Sequence, residues 1–208
     1  MHQHTLYLLR HGEIALQGIL AGKTDIALSE QGWQQLWQAS QQLPKISHCI
    51  SSPLQRCQEF AAAFSLKNNI NLKLDANLQE MNFGDWDGKP YQALWKNEGN
   101  EQQVTIGDFW QNPWQHTAPN GEAMTDFTQR VDTWWQQWLA TIPGDNMPDG
   151  NTLVVAHGGV IKHLIARVLT MPIPGTAHIS NIDVPYASLI KITIHRDEQG
   201  KVWPRIVW

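Results

Sequence analysis

The sequence predicts an α/β fold in which strands and helices alternate along one chain. Three observations carry that expectation. Apolar runs of strand length stand at 5–9, 48–50 and 152–156, and each runs straight into a turn or a helix-start signal. Between them lie segments with apolar residues at helical spacing. Strands separated by helices of this kind pair through crossover connections, which favours a parallel sheet.

In chain order, Thr5 to Leu9 form the first strand, and Gly12 gives the sharp exit that leaves Arg10 and His11 at its carboxyl end. Ser29 to Leu43 form a helix with Trp33, Leu36, Trp37 and Leu43 on one face, stopped at Pro44. His48 to Ile50 form a second strand. Ser52 and Pro53 suit the cap and first position of the next helix, which would place Arg56 at the end of the first turn, with Cys57, Phe60, Ala61 and Phe64 as its buried stripe. Ile70, Leu72 and Leu74 alternate as a third strand. From Met81 to Gly150 the texture changes to tryptophan, glutamine, asparagine and acidic residues without a clear strand, which suggests a cap inserted at 81–150 within one domain spanning 1–208. Within it Phe127, Val131, Trp134, Trp135, Trp138, Leu139 and Ile142 make a wide helical face suited to packing. Thr152 to Ala156 form a buried strand ending in His157, Gly158 and Gly159 before an apolar helix. Ala187–Ile194 and Val202–Val207 supply a hairpin or sheet edge.

A chain of 208 residues with 42% hydrophobic content can bury a substantial core. A formal charge of −4 and a pI near 6.1 give no general attraction to nucleic acid or to an anionic membrane, so any phosphate site must be a local positive island. Cys49 and Cys57 fall on core elements and read as buried thiols. His2, His4, His11, His157 and His163 lack the spacing of a metal motif, so neither a metal nor another cofactor is expected. Met1 to His4 show no signal core and no run reaches membrane-spanning length, which gives the expectation of a cytoplasmic protein.

The chemistry-bearing residues fall at the ends of strands, where open α/β sheets bind ligands. Arg10 and His11 follow the first strand, and Arg56 is placed to reach back toward the second. His157 and Gly158 follow the strand at 152–156, where glycines admit close backbone approach and the opening helix amides can bind an anion. Glu80 is an acid set among Leu78, Met81 and Phe83. Phosphoryl transfer needs an in-line nucleophile, donors around the equatorial oxygens and an acid for the departing alcohol, and this set supplies each.

The arrangement Arg10-His11-Gly12, then Ser52-Pro53-Leu54-Gln55-Arg56, then Glu80, then Ala156-His157-Gly158-Gly159 resembles the histidine phosphatase superfamily, the phosphoglycerate-mutase-like proteins, over nearly the whole chain. The resemblance implies a three-layer sandwich with a mostly parallel central sheet flanked by helices. It further implies a phosphohistidine at His11, phosphate contacts from Arg10, Arg56, His157 and Gly158, and an acid at Glu80. Segments 80–86 and 110–122 look like those of the α-ribazole-5'-phosphate phosphatases of cobalamin assembly, a small-molecule phosphomonoester being the expected partner. Trp86, Trp95, Trp110 and Trp114 are then candidates to stack on a substrate base.

Two positions depart from the family pattern. Ile14 stands where a small hydroxyl residue is usual, and Gln17 stands for an asparagine, so its phosphate contact needs an amide carried one methylene further. Glu13 is open to either orienting Arg10 or lying in solvent. Three other readings compete: a broad-specificity phosphomonoesterase, a phosphoglycerate mutase and a non-catalytic phospholigand-binding module. A mutase must hold a carboxylated substrate, yet residues 81–129 carry only Lys89 and Lys96 against seven acidic residues. The intact His11, Glu80 and His157 speak against a binding module.

Overall fold

The computed structural model describes residues 3–96, 104–142 and 150–207. His2 and the parts of the 81–150 insertion at 97–103 and 143–149 lie outside them. Six strands form one mixed sheet in the order β3-β2-β4-β1-β5-β6, with β1 at Gln3–Arg10, β2 at His48–Ser51, β3 at Leu72–Leu74, β4 at Gly150–Ala156, β5 at Leu189–Arg196 and β6 at Val202–Val207. β3, β2, β4 and β1 run parallel, β5 is antiparallel to β1, and β6 closes the edge antiparallel to β5. The central pair keeps a register in which Tyr7 faces Leu153 and Arg10 faces Ala156. Both carboxyl ends therefore stop at the same level.

Side chains on a strand alternate between faces, and here each face builds its own core. Leu6, Leu8, Ile50, Val154 and Ala156 point to one side and pack against α5 (Met124–Thr141) and α6 (Gly158–Val168). Tyr7, Leu9, Cys49, Leu153 and Val155 point to the other, against α1 (Glu30–Ser40) and α2 (Gln55–Asn68). This is a three-layer sandwich. Leu8, with no exposed surface, sits at its centre, where truncation to alanine costs about 2 to 5 kcal/mol.

α1 begins where the sequence predicts, with Ser29 accepting from the Gly32 N–H. α2 does not. Its cap is Leu54, which makes no side-chain capping bond, and Arg56 is its second residue rather than the end of its first turn. Ser52 accepts from the Leu54 N–H at 3.3 Å but also meets His157, so a tertiary partner takes the hydroxyl that local pattern assigned to the helix. Cys49 and Cys57 are buried free thiols, with burial pushing Cys49 up to about 11 and Cys57 further in the same direction.

After β3 the chain crosses the carboxyl ends of the strands. It forms two short 3-10 turns, at Ala76–Leu78 and Gly84–Trp86, then α3 (Tyr91–Lys96) and α4 (Ile106–Gln111) before α5. α7 (Ala177–Asn181) follows α6. No helix among the described residues is long and apolar enough to cross a membrane.

Candidate active site

Neighbouring strand ends converge because β1, β4 and β2 are adjacent in the sheet. The His11 N–H donates to Ala156 O at 3.0 Å and the Ser52 N–H to Val155 O at 3.0 Å, so the three strand exits are stitched together by backbone bonds. Gly12 allows the turn: a side chain there would overlap the backbone of Gly32 in α1.

His11 is 5% exposed, and its Nδ1 donates to Gly12 O at 2.8 Å. That bond fixes the tautomer and leaves Nε2 as the lone-pair nitrogen. Burial, then the charge of Arg56 and more weakly of Arg10, lower the pKa of His11 to about 3 against a partial opposing effect of the Gly12 bond. The ring is neutral at ordinary pH. Its neighbours are the His157 ring, centroids 5.2 Å apart, and the Tyr186 ring at 5.5 Å.

Arg56 is fully buried. Its Nε donates to His157 Nδ1 at 3.2 Å, and its two terminal nitrogens donate to Thr24 O at 2.8 Å and Gly22 O at 2.6 Å. Three of five guanidinium N–H groups are thereby used, and one on each terminal nitrogen is left. Arg10 donates to Val184 O at 2.6 Å, lies 4.3 Å over the Tyr186 ring, and keeps its buried Nε without a partner. Among the described residues no carboxylate lies in ion-pair distance of either arginine. One fully buried and one half-buried guanidinium thus stand without a counter-ion among the described residues, an arrangement suited to an anion, since a buried charge must be matched.

Because Arg56 can only donate, His157 must accept at Nδ1 and carry its proton on Nε2, which donates to Ser52 Oγ at 2.8 Å. Burial foremost, and then Arg56, hold His157 well below the usual histidine range. A phosphoryl oxygen would compete with Ser52 for its one N–H. Gly158 is buried beneath Arg10, where a Cβ would lie 3.5 Å from the guanidinium carbon.

Glu80 accepts from Gly159 N at 3.0 Å through Oε2 and from Met81 N at 3.2 Å through Oε1. Sequence reading expected the opening amides of α6 to await a ligand anion; one of them holds the carboxyl of Glu80 instead. The close approach expected at the glycines after His157 is made at Gly159 by Glu80, since a Cβ there would overlap Glu80 Oε1.

A cavity of about 230 Å³ opens beside this cluster. Arg10, Glu80, Gly158 and Gly159 line one end, and Lys162, His178 and Asp183 add polar groups. Its walls include Phe83, Tyr91, Phe109 and Trp110. Of the four tryptophans singled out in the sequence, Trp110 alone lines it. Trp86 is buried against Phe109, Trp95 is exposed, and Trp114 donates from its indole to Gly175 O at 3.0 Å. Gln17 is exposed on the loop after β1 and makes no side-chain hydrogen bond to a described residue, while Ile14 is buried and bridges Leu28. Glu13 accepts from Ser29 Oγ at 2.8 Å and does not orient Arg10.

The residues that sequence reading passed over act on this site from loops. Asp87 accepts from the N–H groups of Gly22, Lys23, Thr24 and Phe83 and from the Thr24 hydroxyl, and so fixes the loop whose carbonyls hold Arg56. Tyr91 and Tyr186 add rings that no periodicity marks. The only sequence signal for Asp87 is an acid followed by Gly88, which adopts φ +77°.

Comparison with known proteins matches residues 6–205 to the family model of the histidine phosphatase superfamily, branch 1. The adenosylcobalamin/alpha-ribazole phosphatase of Escherichia coli strain K12 is 31% identical over 182 residues, 83% of each chain. The glucosyl-3-phosphoglycerate phosphatase of Mycobacterium tuberculosis strain CDC 1551 is 27% identical over 180 residues, 83% of this chain and 78% of that one. Among solved structures, the native mycobacterial glucosyl-3-phosphoglycerate phosphatase superposes with a TM-score of 0.82 over 100% of this chain and 99% of the other, at 24% identity. That last likeness is one of fold.

Proposed function

The chain belongs to the histidine phosphatase superfamily, and on that premise we propose that it hydrolyses a small phosphomonoester through a phosphohistidine at His11. The observation that carries this reading is the bond from His11 Nδ1 to Gly12 O, which aims a neutral Nε2 into a site bounded by two unmatched guanidinium groups. In the first step the Nε2 lone pair forms the P–N bond as the ester P–O bond breaks, and Glu80 gives its proton to the departing alkoxide. In the second, water attacks phosphorus, the P–N bond breaks, and the Glu80 carboxylate takes the water proton as inorganic phosphate forms. Glu80 must enter the cycle as the neutral acid. Arg10 and Arg56 stabilise the charge on the equatorial oxygens, where loss of one such donor typically costs about 3 to 4 kcal/mol.

For the substrate we favour α-ribazole 5'-phosphate, which would place the protein in cobalamin nucleotide-loop assembly and in the cytoplasm. Support comes from the relative of that name and from the cavity, whose Tyr91 and Trp110 rings suit a flat base while Lys162 and Asp183 can donate to and accept from ribose hydroxyls. The insertion at 81–150, which supplies Phe83, Tyr91, Phe109 and Trp110 to the cavity, we read as the cap that decides specificity. A second reading, a broad-specificity phosphomonoesterase, is favoured by a largely apolar cavity wall that selects for little beyond size.

Rapid acid-and-base quenching with labelled substrate should yield a base-stable, acid-labile phosphoprotein that His11→Ala abolishes. Normal turnover by that variant would end the nucleophile assignment. A panel of phosphomonoesters decides the substrate: equal kcat/KM on α-ribazole 5'-phosphate, 3-phosphoglycerate and sugar phosphates would leave the broad-specificity reading.

A further inference from the structure

Glu80 stands on a stretch that neither helix nor strand fixes, between the 3-10 turns at 76–78 and 84–86. Its side chain must nevertheless meet Gly159 from across the site. The constraint comes from α5. Arg130 spends all five of its N–H donors: Nε and one terminal nitrogen grip the two oxygens of Glu122 at 2.6 and 2.9 Å, and the remaining donors reach Asn77 O at 2.8 Å, Gln79 O at 2.7 Å and Glu80 O at 3.1 Å. Glu122 continues the clamp on the far side, accepting from Asn82 N at 3.2 Å and donating its own N–H to Asn82 O at 2.8 Å. Three carbonyls up to Glu80 and both backbone groups of Asn82 are thus held by one bidentate ion pair.

We propose that the Arg130–Glu122 pair is a positioning device for Glu80, setting the approach of its carboxyl to the leaving oxygen. A guanidinium with every donor committed has none left for phosphate, so Arg130 acts through Glu80 and not on substrate. A planar fork bonded to several acceptors holds its targets in one geometry, which an ammonium cannot reproduce. The proposal rests on the reading of Glu80 as the general acid, and the test separates the two.

Arg130→Met, Arg130→Lys, Glu122→Gln, Glu80→Gln and the double variant Glu80→Gln with Arg130→Met are compared on a primary alkyl phosphate and on p-nitrophenyl phosphate, whose phenolate leaves without full protonation. In Arg130→Met kcat on the alkyl ester should fall by about tenfold or more with little change in KM, and the aryl ester should lose far less, because a general acid is worth about a hundredfold or more only where protonation limits the rate. Arg130→Lys should recover only part of the loss. Added to Glu80→Gln, Arg130→Met should change the alkyl-to-aryl ratio no further, as expected of residues acting through one group. Where Arg130→Met does not fold, Glu122→Gln reports the same ratio. Equal losses on both esters, or losses that multiply in the double variant, overturn the proposal. If Glu80→Gln itself treats both esters alike, the acid assignment fails; if it discriminates and Arg130→Met does not, the clamp alone fails.

Discussion

The backbone N–H of Gly159 donates to Glu80 Oε2 at 3.0 Å, so the carboxyl of Glu80 sits on the first turn of α6. The glycine is what lets the carboxyl come so close. Gly159→Ala therefore separates stability from activity. Alanine in a helix is better than glycine by roughly 0.5 to 1 kcal/mol, yet its Cβ would overlap Glu80 Oε1. The variant should melt within a few degrees of the parent while kcat on alkyl phosphates falls by about tenfold to a hundredfold. Unchanged alkyl phosphatase activity would mean that the carboxyl works from another position.

Two of the buried histidines, both in the site, make the fold acid-sensitive. His11 has a folded pKa of about 3, lowered by burial and by Arg56, and His157 is lowered in the same direction by the same causes. Between pH 6.5 and 3 the unfolded chain therefore binds protons that the folded chain refuses, and stability that is complete above pH 6.5 drains away as pH falls. Each such group contributes a slope of about 1.4 kcal/mol per pH unit. Urea unfolding should show a loss of about 2 kcal/mol between pH 7.5 and pH 5 from His11 alone, with His157 adding to it in the same direction. His157→Gln should make the decline shallower, whatever it does to stability at pH 7.5. A flat profile over that range would show that these rings are charged or solvated in the folded protein.

How far the sequence reveals this molecule depends on the kind of bond involved. β1 and β4 are legible because burial on both faces demands continuous apolar residues, and the groups that end them, Arg10, His11 and His157, are legible as polar interruptions at a glycine turn. Ser52 was misread because a serine before a proline satisfies a local capping pattern, whereas its hydroxyl meets a histidine 105 residues away. Asp87 and Arg130 were invisible for a related reason: they bond to backbone groups of distant loops, and backbone acceptors leave no mark in side-chain periodicity. Three of the four tryptophans miss the cavity for a different reason. Trp86 and Trp95 stand in one segment of similar composition, yet one is 7% exposed and the other 58%, a difference set by tertiary packing alone.

Asp87→Asn tests the loop behind Arg56. Asparagine offers one acceptor oxygen and turns an NH₂ group toward amides that need an acceptor, so the bonds to Lys23 N and Phe83 N or those to Gly22 N and Thr24 N are lost. The Lys23 amide can turn to water, but an unmatched donor at the partly buried Gly22, Thr24 or Phe83 costs up to about 1 to 3 kcal/mol, and a drop in Tm of several degrees is expected. The catalytic signature should differ from that of the Glu80 clamp. Arg56 acts on the phosphoryl group common to every substrate, so kcat/KM should fall by a similar factor for alkyl and aryl esters. A loss confined to alkyl esters would place Asp87 with Glu80 instead.

Trp110 and Tyr91 decide whether the cavity recognises a flat base. Both line it; Tyr91 is 39% exposed, and Trp110 is backed by Phe109 with centroids 5.1 Å apart. Stacking on a base is worth about 1 to 3 kcal/mol per ring, which corresponds to roughly tenfold to a hundredfold in binding. Trp110→Leu and Tyr91→Leu should each raise KM for α-ribazole 5'-phosphate by a factor in that range, leave KM for a simple alkyl phosphate within about twofold, and hardly move kcat, because a contact equal in ground and transition states affects binding alone. Trp95→Ala, at an exposed ring outside the cavity, is the control and should behave as the parent. If neither cavity variant distinguishes the nucleotide from the alkyl ester, the base is not held there and the α-ribazole assignment loses its structural support.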